Sequence, residues 1–224
     1  MKPKVIIHNT ISLDGRMDFV HRDEGLYYMT AERINAQALL SGSETILAAY
    51  PITATDAGDE PQALPEKAPE TARLLLVVVD SRGRLVNLHR LRRNPHWRDI
   101  IVLISHATPP EYIAYLHKHG IAFIQSGQEK VDLSQALDVL SARFGVQTVR
   151  VDSGGTLNGV LLRAGLVDEI SLLIQPELIG GTSPRSIFVA PDLASQAGVI
   201  GLKQIHSEKF RGRVLWLRYV IIKK

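Results

Sequence analysis

The chain has no cysteine. Disulfides, thiolate metal sites and cysteine nucleophiles are therefore excluded. No run reaches about 18 apolar residues, the length a membrane span needs. The opening MKPKVIIHNT holds no apolar core of signal-peptide length. Both absences predict a cytoplasmic protein with no membrane partner. An excess of one charge is also missing: the formal net charge is only +3. That value does not predict nucleic acid, and it is compatible with an anionic ligand. The basic cluster RLRRNPHWR lies in no RNA-binding module and reads as a solvated loop. The motifs G-x-G-x-x-G and G-x-S-x-G do not occur, nor does a Ser-His-Asp ordering. His117 and His119 stand two apart in a predicted helix. They face different ways and read as surface residues, so no metal site is predicted.

What is present is ordinary globular composition, 45% hydrophobic and 22% charged over 224 residues. One large domain, 1–224, is expected. VIIHNTIS, RLLLVVVD, DIIVLIS, IAFIQSG, VQTVRVD and EISLLIQP read as strands, several of them apolar enough to be buried on both faces. MTAERINAQALLSG reads as a helix capped by Thr30 and stopped by Gly42, and ETILAA as a short strand after it. Residues 51–72 hold four prolines and read as a loop. TPPEYIAYLHKHG has Thr108 and Glu111 at capping-box spacing. VDLSQALDVLSARFG has Asp132 as cap, Gly145 as stop and Leu133, Ala136, Leu137, Leu140 and Phe144 on one stripe. TLNGVLLRAG reads as a short helix with Leu157, Val160, Leu161 and Ala164 on its apolar face. The tail, two strands joined by RGR, reads as an antiparallel hairpin. Alternating strands and helices predict an α/β fold with a mixed, mostly parallel sheet.

In such sheets ligands bind outside the carboxyl ends of the strands. NTISLDG, AAYPIT, VDSRGR, QSGQE and VDSGGT are the expected ends. In VDSGGT, Gly154, Gly155 and Thr156 stand where a helix begins. Free amides and the helix dipole there favour an anion, and glycine admits a phosphate closely; a tight turn with no ligand is the equal alternative. Asp14-Gly15 reads first as a turn. Asp80, Ser81 and Arg82 could meet a ribose or phosphate, or could simply end a strand.

In order, ISLDGRM, VVDSRGRL and above all VDSGGTLNGVLLRAGLVDEISLLIQPELIGG resemble the dihydrofolate-reductase-like reductase domain of riboflavin biosynthesis. The resemblance runs over nearly the whole chain. It implies a three-layer αβα sandwich, a homodimer and NADPH. It implies reduction of the ribosylamino group of a pyrimidine 5′-phosphate to ribitylamino. By the same resemblance Ser153, Gly154, Gly155, Thr156 and Leu157 serve the pyrophosphate. Thr10, Thr53, Asp56, Ser81 and Arg82 also belong to the cofactor. Asp152 stands where the family has a substrate-facing Glu, and Asp14 lies beside the nicotinamide; both are candidate catalytic residues. The family's Val-Gly-x-x-Thr after the second strand is placed at Ala49 and at Ile52 or Thr53. Its helix-end arginine is placed near Leu40. With arginine missing there, Arg16, Arg33 and Arg185 are the candidates to hold substrate phosphate.

Overall fold

The elements in chain order are β1 (Lys4–Ile11), α1 (Glu24–Glu32), β2 (Ala38–Gly42), α2 (Ser43–Ala49), β3 (Leu74–Val79), α3 (Leu88–Leu91), β4 (Trp97–Ile104), α4 (Pro110–Lys118), β5 (Ala122–Gln125), α5 (Leu133–Phe144), β6 (Thr148–Val151), α6 (Gly155–Arg163), β7 (Glu169–Ile174), β8 (Leu202–Lys209) and β9 (Leu215–Ile221). The structure, a computed structural model, describes residues 1–51, 74–182 and 185–223. The pairs β1–β7, β2–β3, β3–β4 and β4–β5 are parallel, whereas β9 runs antiparallel to β7 and β8. This is the expected mixed, mostly parallel α/β sheet with a C-terminal antiparallel hairpin. The chain divides into two compact units, Met1–Pro3 with Ala36–Val149 and Lys4–Asn35 with Arg150–Lys224.

In the first unit, β2 to β5 lie side by side in chain order. Strand alternation sends Leu39, Leu76, Val78, Ile100, Val102 and Ile104 to one face. There they pack with Ile46 of α2, Leu88 and Leu91 of α3, and Tyr112 and Leu116 of α4. The intervening Leu40, Val77, Ile101 and Leu103 are also buried. Each such side chain stabilises the fold by roughly 1.5–3 kcal/mol. Helix α5 conforms closely to its sequence signals. Asp132 accepts the Gln135 amide at 3.0 Å, and Gly145 ends the helix at φ +66°.

In the second unit, helices lie on both faces of β1. On one face His8 meets Tyr27 and Thr30 of α1. On the other, Asn9 meets Asn158 of α6. These three layers within the unit arise from the alternation of β1 side chains.

Five local expectations are corrected. Helix α1 begins earlier than expected, because Asp23 rather than Thr30 caps it, accepting the Leu26 amide at 2.9 Å. Thr30 is buried near its end and bonds back to the Leu26 carbonyl. Asn35, at φ +52°, then breaks the chain. ALLSG is consequently a strand and SETILAA a helix, the reverse of what their sequence pattern predicts. A five-residue apolar run fits either period, and only its neighbours decide. No capping box forms at α4: Pro109 occupies the cap, and Thr108 donates to the Ser81 carbonyl instead. The buried face of α6 is Asn158, Gly159 and Leu161, while Val160 and Ala164 are exposed. His119 is not a plain surface residue, since its ring stacks on His89 at 4.5 Å.

Candidate functional site

Strand β6 ends at Val151, and the chain turns through Asp152, buried Ser153 and exposed Gly154 into α6. Gly154 is the N-cap, extended at φ −70° and ψ 166°, with no side chain to cover the first-turn amides. The next two glycines answer to packing. A Cβ on Gly155 would lie 2.1 Å from the Ser186 carbonyl oxygen, and one on Gly159 would lie 2.0 Å from that of Val189. The segment 186–189 therefore runs directly against α6. The Val189 amide donates to the Gly155 carbonyl at 2.9 Å. Between them the buried Asn158 amide donates to Asn9 Oδ1, the Ile187 carbonyl and the Ser153 carbonyl.

Asp152 is held from the opposite direction. The Tyr27 hydroxyl donates to its Oδ2. Arg22 Nη2 reaches the same oxygen at 3.4 Å, and the guanidinium lies 3.8 Å over the Tyr27 ring. Burial first, and then the Asp152 carboxylate, push the Tyr27 hydroxyl well above its ordinary value, so it acts as a donor. Behind Tyr27 stands His8, wholly buried, with ring centroids 4.7 Å apart. Burial and the Arg150 charge hold His8 down to about 3, so its imidazole is neutral. Its Nδ1 pairs with Ser171 Oγ at 2.9 Å, which also accepts the Trp216 indole N–H at 2.8 Å. Sequence reading found neither Tyr27, Arg22 nor His8. Tyr27 and Asp152 are 125 residues apart, and no local pattern links them.

The remaining candidates of this unit fall into separate groups. Asp14 is exposed, and its carboxylate accepts Ser12 Oγ at 2.6 Å, the Gly180 amide at 2.6 Å and the Ile179 amide at 3.2 Å. The Ser12 bond first, then that from Gly180, lower it to about 2. Burial pushes the other way but is outweighed by these bonds. Arg16 is buried and paired with Asp18 at 3.2 Å. Arg185 lies exposed on the neighbouring segment, where its carbonyl accepts the Met17 amide. Its charge, after the Arg16 hydrogen bond, helps hold Asp18 below the carboxylate range. Arg33 comes directly after α1, paired with Glu208 at 2.7 Å and 5.3 Å from the Trp216 ring. The Thr10 hydroxyl, at the carboxyl end of β1, is buried without a hydrogen-bond partner.

In the first unit, Asp80 is buried and accepts the Arg84 and Leu85 amides at 2.8 and 3.0 Å. Ser81 Oγ accepts the Val131 amide at 3.4 Å, while Arg82 is exposed. Strand β2 ends at Gly42, and Thr45 follows in α2 at the glycine-to-threonine spacing of the family pattern, while Ala49 ends that helix. Leu40 is buried in β2 rather than at a helix end, and the residue at the end of α1 is Arg33. Thr53 and Asp56 lie outside the described residues. Among the described residues no helix is long and apolar enough to cross a membrane. Among them, too, no three His, Asp or Glu side chains are placed to hold a metal.

The sequence and the fold have counterparts. The RibD C-terminal domain family matches residues 3–216. A 2,5-diamino-6-ribosylamino-4(3H)-pyrimidinone 5′-phosphate reductase of Archaeoglobus fulgidus is 31% identical over 196 residues, 84% of this chain and 86% of its own. The reductase of that name from Methanothermobacter thermautotrophicus is 28% identical, with 91% of each chain covered. In fold, the chain superposes on Acinetobacter baumannii RibD with a TM-score of 0.72 at 22% identity, covering 99% of this chain and 58% of that one. It superposes on the Saccharomyces riboflavin biosynthesis reductase Rib7 with a TM-score of 0.71 at 17% identity, covering 99% and 90%. The chain belongs to the RibD C-terminal domain family.

Proposed function

We propose that this chain is an NADPH-dependent reductase of riboflavin biosynthesis. Its substrate is a diaminopyrimidine ribosylamino 5′-phosphate, whose ribosylamino group becomes ribitylamino. The observation that carries this reading is the β6–α6 turn, where a partly exposed acid meets a helix start that has no side-chain cap, in a chain of this family. Residues 1–224 act as one reductase domain, in a cytoplasmic homodimer.

The residues fit a dinucleotide. Gly154 puts no side-chain cap on the first-turn amides of α6, and these with the helix dipole suit a pyrophosphate. Thr10 offers a buried hydroxyl with no protein partner. Ser153, Gly155, Thr156, Leu157, Thr53, Asp56, Ser81 and Arg82 complete the proposed set by family likeness. When bound, NADPH supplies the hydride. Asp152 borders the substrate and places a negative charge beside its carbon–nitrogen bond. Asp14 holds the loop after β1. For the 5′-phosphate, Arg33 is the better holder. Its pairing with Glu208 is exposed and costs only about 0–1 kcal/mol to exchange, while Arg16 is buried against Asp18.

The test is calorimetry with NADPH and NADH, then steady-state NADPH oxidation with the phosphorylated intermediate and its dephosphorylated form. Wild type should bind NADPH more tightly and prefer the phosphorylated compound. Arg33→Ala should erase about 10-fold or more of that preference, about 1.4 kcal/mol. Absence of NADPH binding at millimolar ligand removes the cofactor; equal use of both compounds removes the phosphate site.

A further inference from the structure

Asp152 emerges directly from a strand end beside a helix start, and its setting is built for orientation. A carboxylate on a short side chain at a turn rotates freely unless something pins it. Here the Tyr27 hydroxyl and Arg22 Nη2 converge on one oxygen, Oδ2. Tyr27 cannot yield. It is 1% exposed, and its ring lies 4.7 Å from the His8 ring and 3.8 Å from the Arg22 guanidinium. His8 is itself fixed through Ser171 to the Trp216 indole, and both Ser171 and Trp216 are buried. A hydrogen-bonded and stacked column thus runs from Trp216 on β9, through β7 and β1, to the acid at the end of β6. Buried polar chains of this kind are costly unless fully satisfied, and when satisfied they hold one geometry.

We propose that Tyr27, backed by His8 and flanked by Arg22, is a positioning residue that fixes the Asp152 carboxylate for the reaction. A carbon–nitrogen double bond accepts hydride more readily when protonated. A carboxylate correctly aimed favours that protonated form and forms no bond itself. A donated phenol hydrogen keeps Oδ2 occupied and turns the other carboxylate edge to a fixed direction. A misplacement of about 1 Å in such a group can cost on the order of 100-fold in rate. The proposal rests on Asp152 facing substrate in the reductase reading, but its structural part can be measured without turnover.

The experiment compares wild type, Tyr27→Phe, Asp152→Asn and the double variant. Tyr27→Phe keeps the ring and removes only the donor. With the phosphorylated intermediate, its kcat should fall about 10- to 100-fold. KM for NADPH should not change. In the Asp152→Asn background the same change should cost little, because the partner is gone. A merely structural Tyr27 would lower melting temperature alike in both backgrounds and leave kcat of the folded fraction intact, and that result overturns the proposal. In parallel, the carboxylate stretch of free protein carrying labelled aspartate is read by infrared spectroscopy. Tyr27→Phe should shift a band that Asp152→Asn abolishes. If no variant or wild type turns over, the reductase reading fails while this band still reports on the pair; an unshifted band refutes the positioning role by itself. Should Tyr27→Phe not fold, Arg22→Gln removes the exposed anchor. It should shift the same band and lower kcat less, and no shift there counts against the proposal.

Discussion

The tripeptide Val-Asp-Ser occurs twice, at 79–81 after β3 and at 151–153 after β6. The two copies fold alike at the strand end and then diverge. Asp80 turns inward, is 1% exposed, and spends Oδ2 on the Arg84 and Leu85 amides. Beyond it, Gly83 sits at φ +66°, and a Cβ there would touch Tyr112 at 2.7 Å. Asp152 instead stays partly exposed and meets side chains, Tyr27 and Arg22, that come from a distant part of the chain. The three residues after each tripeptide decide the outcome. Arg-Gly-Arg continues a turn whose own amides bind one oxygen of the acid. Gly-Gly-Thr starts a helix at once, so the local amides go into α6 and the acid is left for other partners.

The largest expected effect breaks the second turn. Gly155→Val places a Cβ within 2.1 Å of a backbone carbonyl that cannot move without shifting 186–189. A loss of about 3 kcal/mol or more is expected, or no folded protein. Denaturant titration measures it. Lost NADPH binding in this variant would say nothing about a pyrophosphate, because the glycine already has a packing reason.

Next is the exchange of the two acids. Asp80→Ala leaves two backbone amides without their acceptor, one of them buried, and should cost about 2 kcal/mol. Activity per folded molecule should persist. Asp152→Ala should do the reverse, lowering kcat by about 100-fold, equal to about 2.7 kcal/mol, with little change in urea midpoint. Matching losses of stability in the two variants would erase the distinction.

The fold was legible where the chain repeats one message. Buried runs in β1, β3 and β4, and α5 with Asp132 and Gly145 at its ends, combine pattern and caps. ALLSG and SETILAA misled because each is short, and the true signal lay in Asp23 and Asn35 outside them. That slip placed the end of the first helix near Leu40 instead of at Arg33. In the site, VDSGGT was visible as a strand-to-helix turn, but the packing of Gly155 against the 186–189 segment was not. Tyr27 and His8 were invisible because their meaning exists only once β1, α1 and β6 have met.

A smaller effect sharpens the contrast in what supports each acid. Backbone amides do not titrate near neutrality, whereas His8 behind Tyr27 does in the unfolded chain. Its folded value of about 3 lies below the ordinary 6.5. The unfolded state therefore takes up the proton first. His8's contribution is full above pH 6.5 and is lost as pH falls from 6.5 toward about 3. The slope is at most about 1.4 kcal/mol per pH unit. His8→Gln keeps a polar side chain without the titration, so its stability should be flatter than wild type between pH 6.5 and about 5. Parallel curves would mean that His8 accepts a proton without loss.

The smallest effect concerns the third strand-end acid, Asp14. It resembles Asp80 in accepting backbone amides, from Ile179 and Gly180, and differs in being exposed. If holding amides is what separates a turn acid from a reacting acid, Asp14 belongs with Asp80. Asp14→Asn retains one acceptor oxygen and the shape, and it removes the charge. Turnover should then stay at the wild-type level, and the melting temperature near neutral pH should drop slightly. The acid side fixes the sign. Asp14's folded value, about 2, is below the ordinary 3.8, chiefly through the Ser12 hydrogen bond. Wild type should hold its small advantage above pH 3.8 and lose it as pH falls toward about 2. Differential scanning calorimetry across that range, beside steady-state NADPH oxidation near neutral pH, reads both quantities. A large fall in kcat with unchanged melting would move Asp14 to the side of Asp152, and the contact with Gly180 would then be a way of aiming a reacting carboxylate rather than of closing a loop.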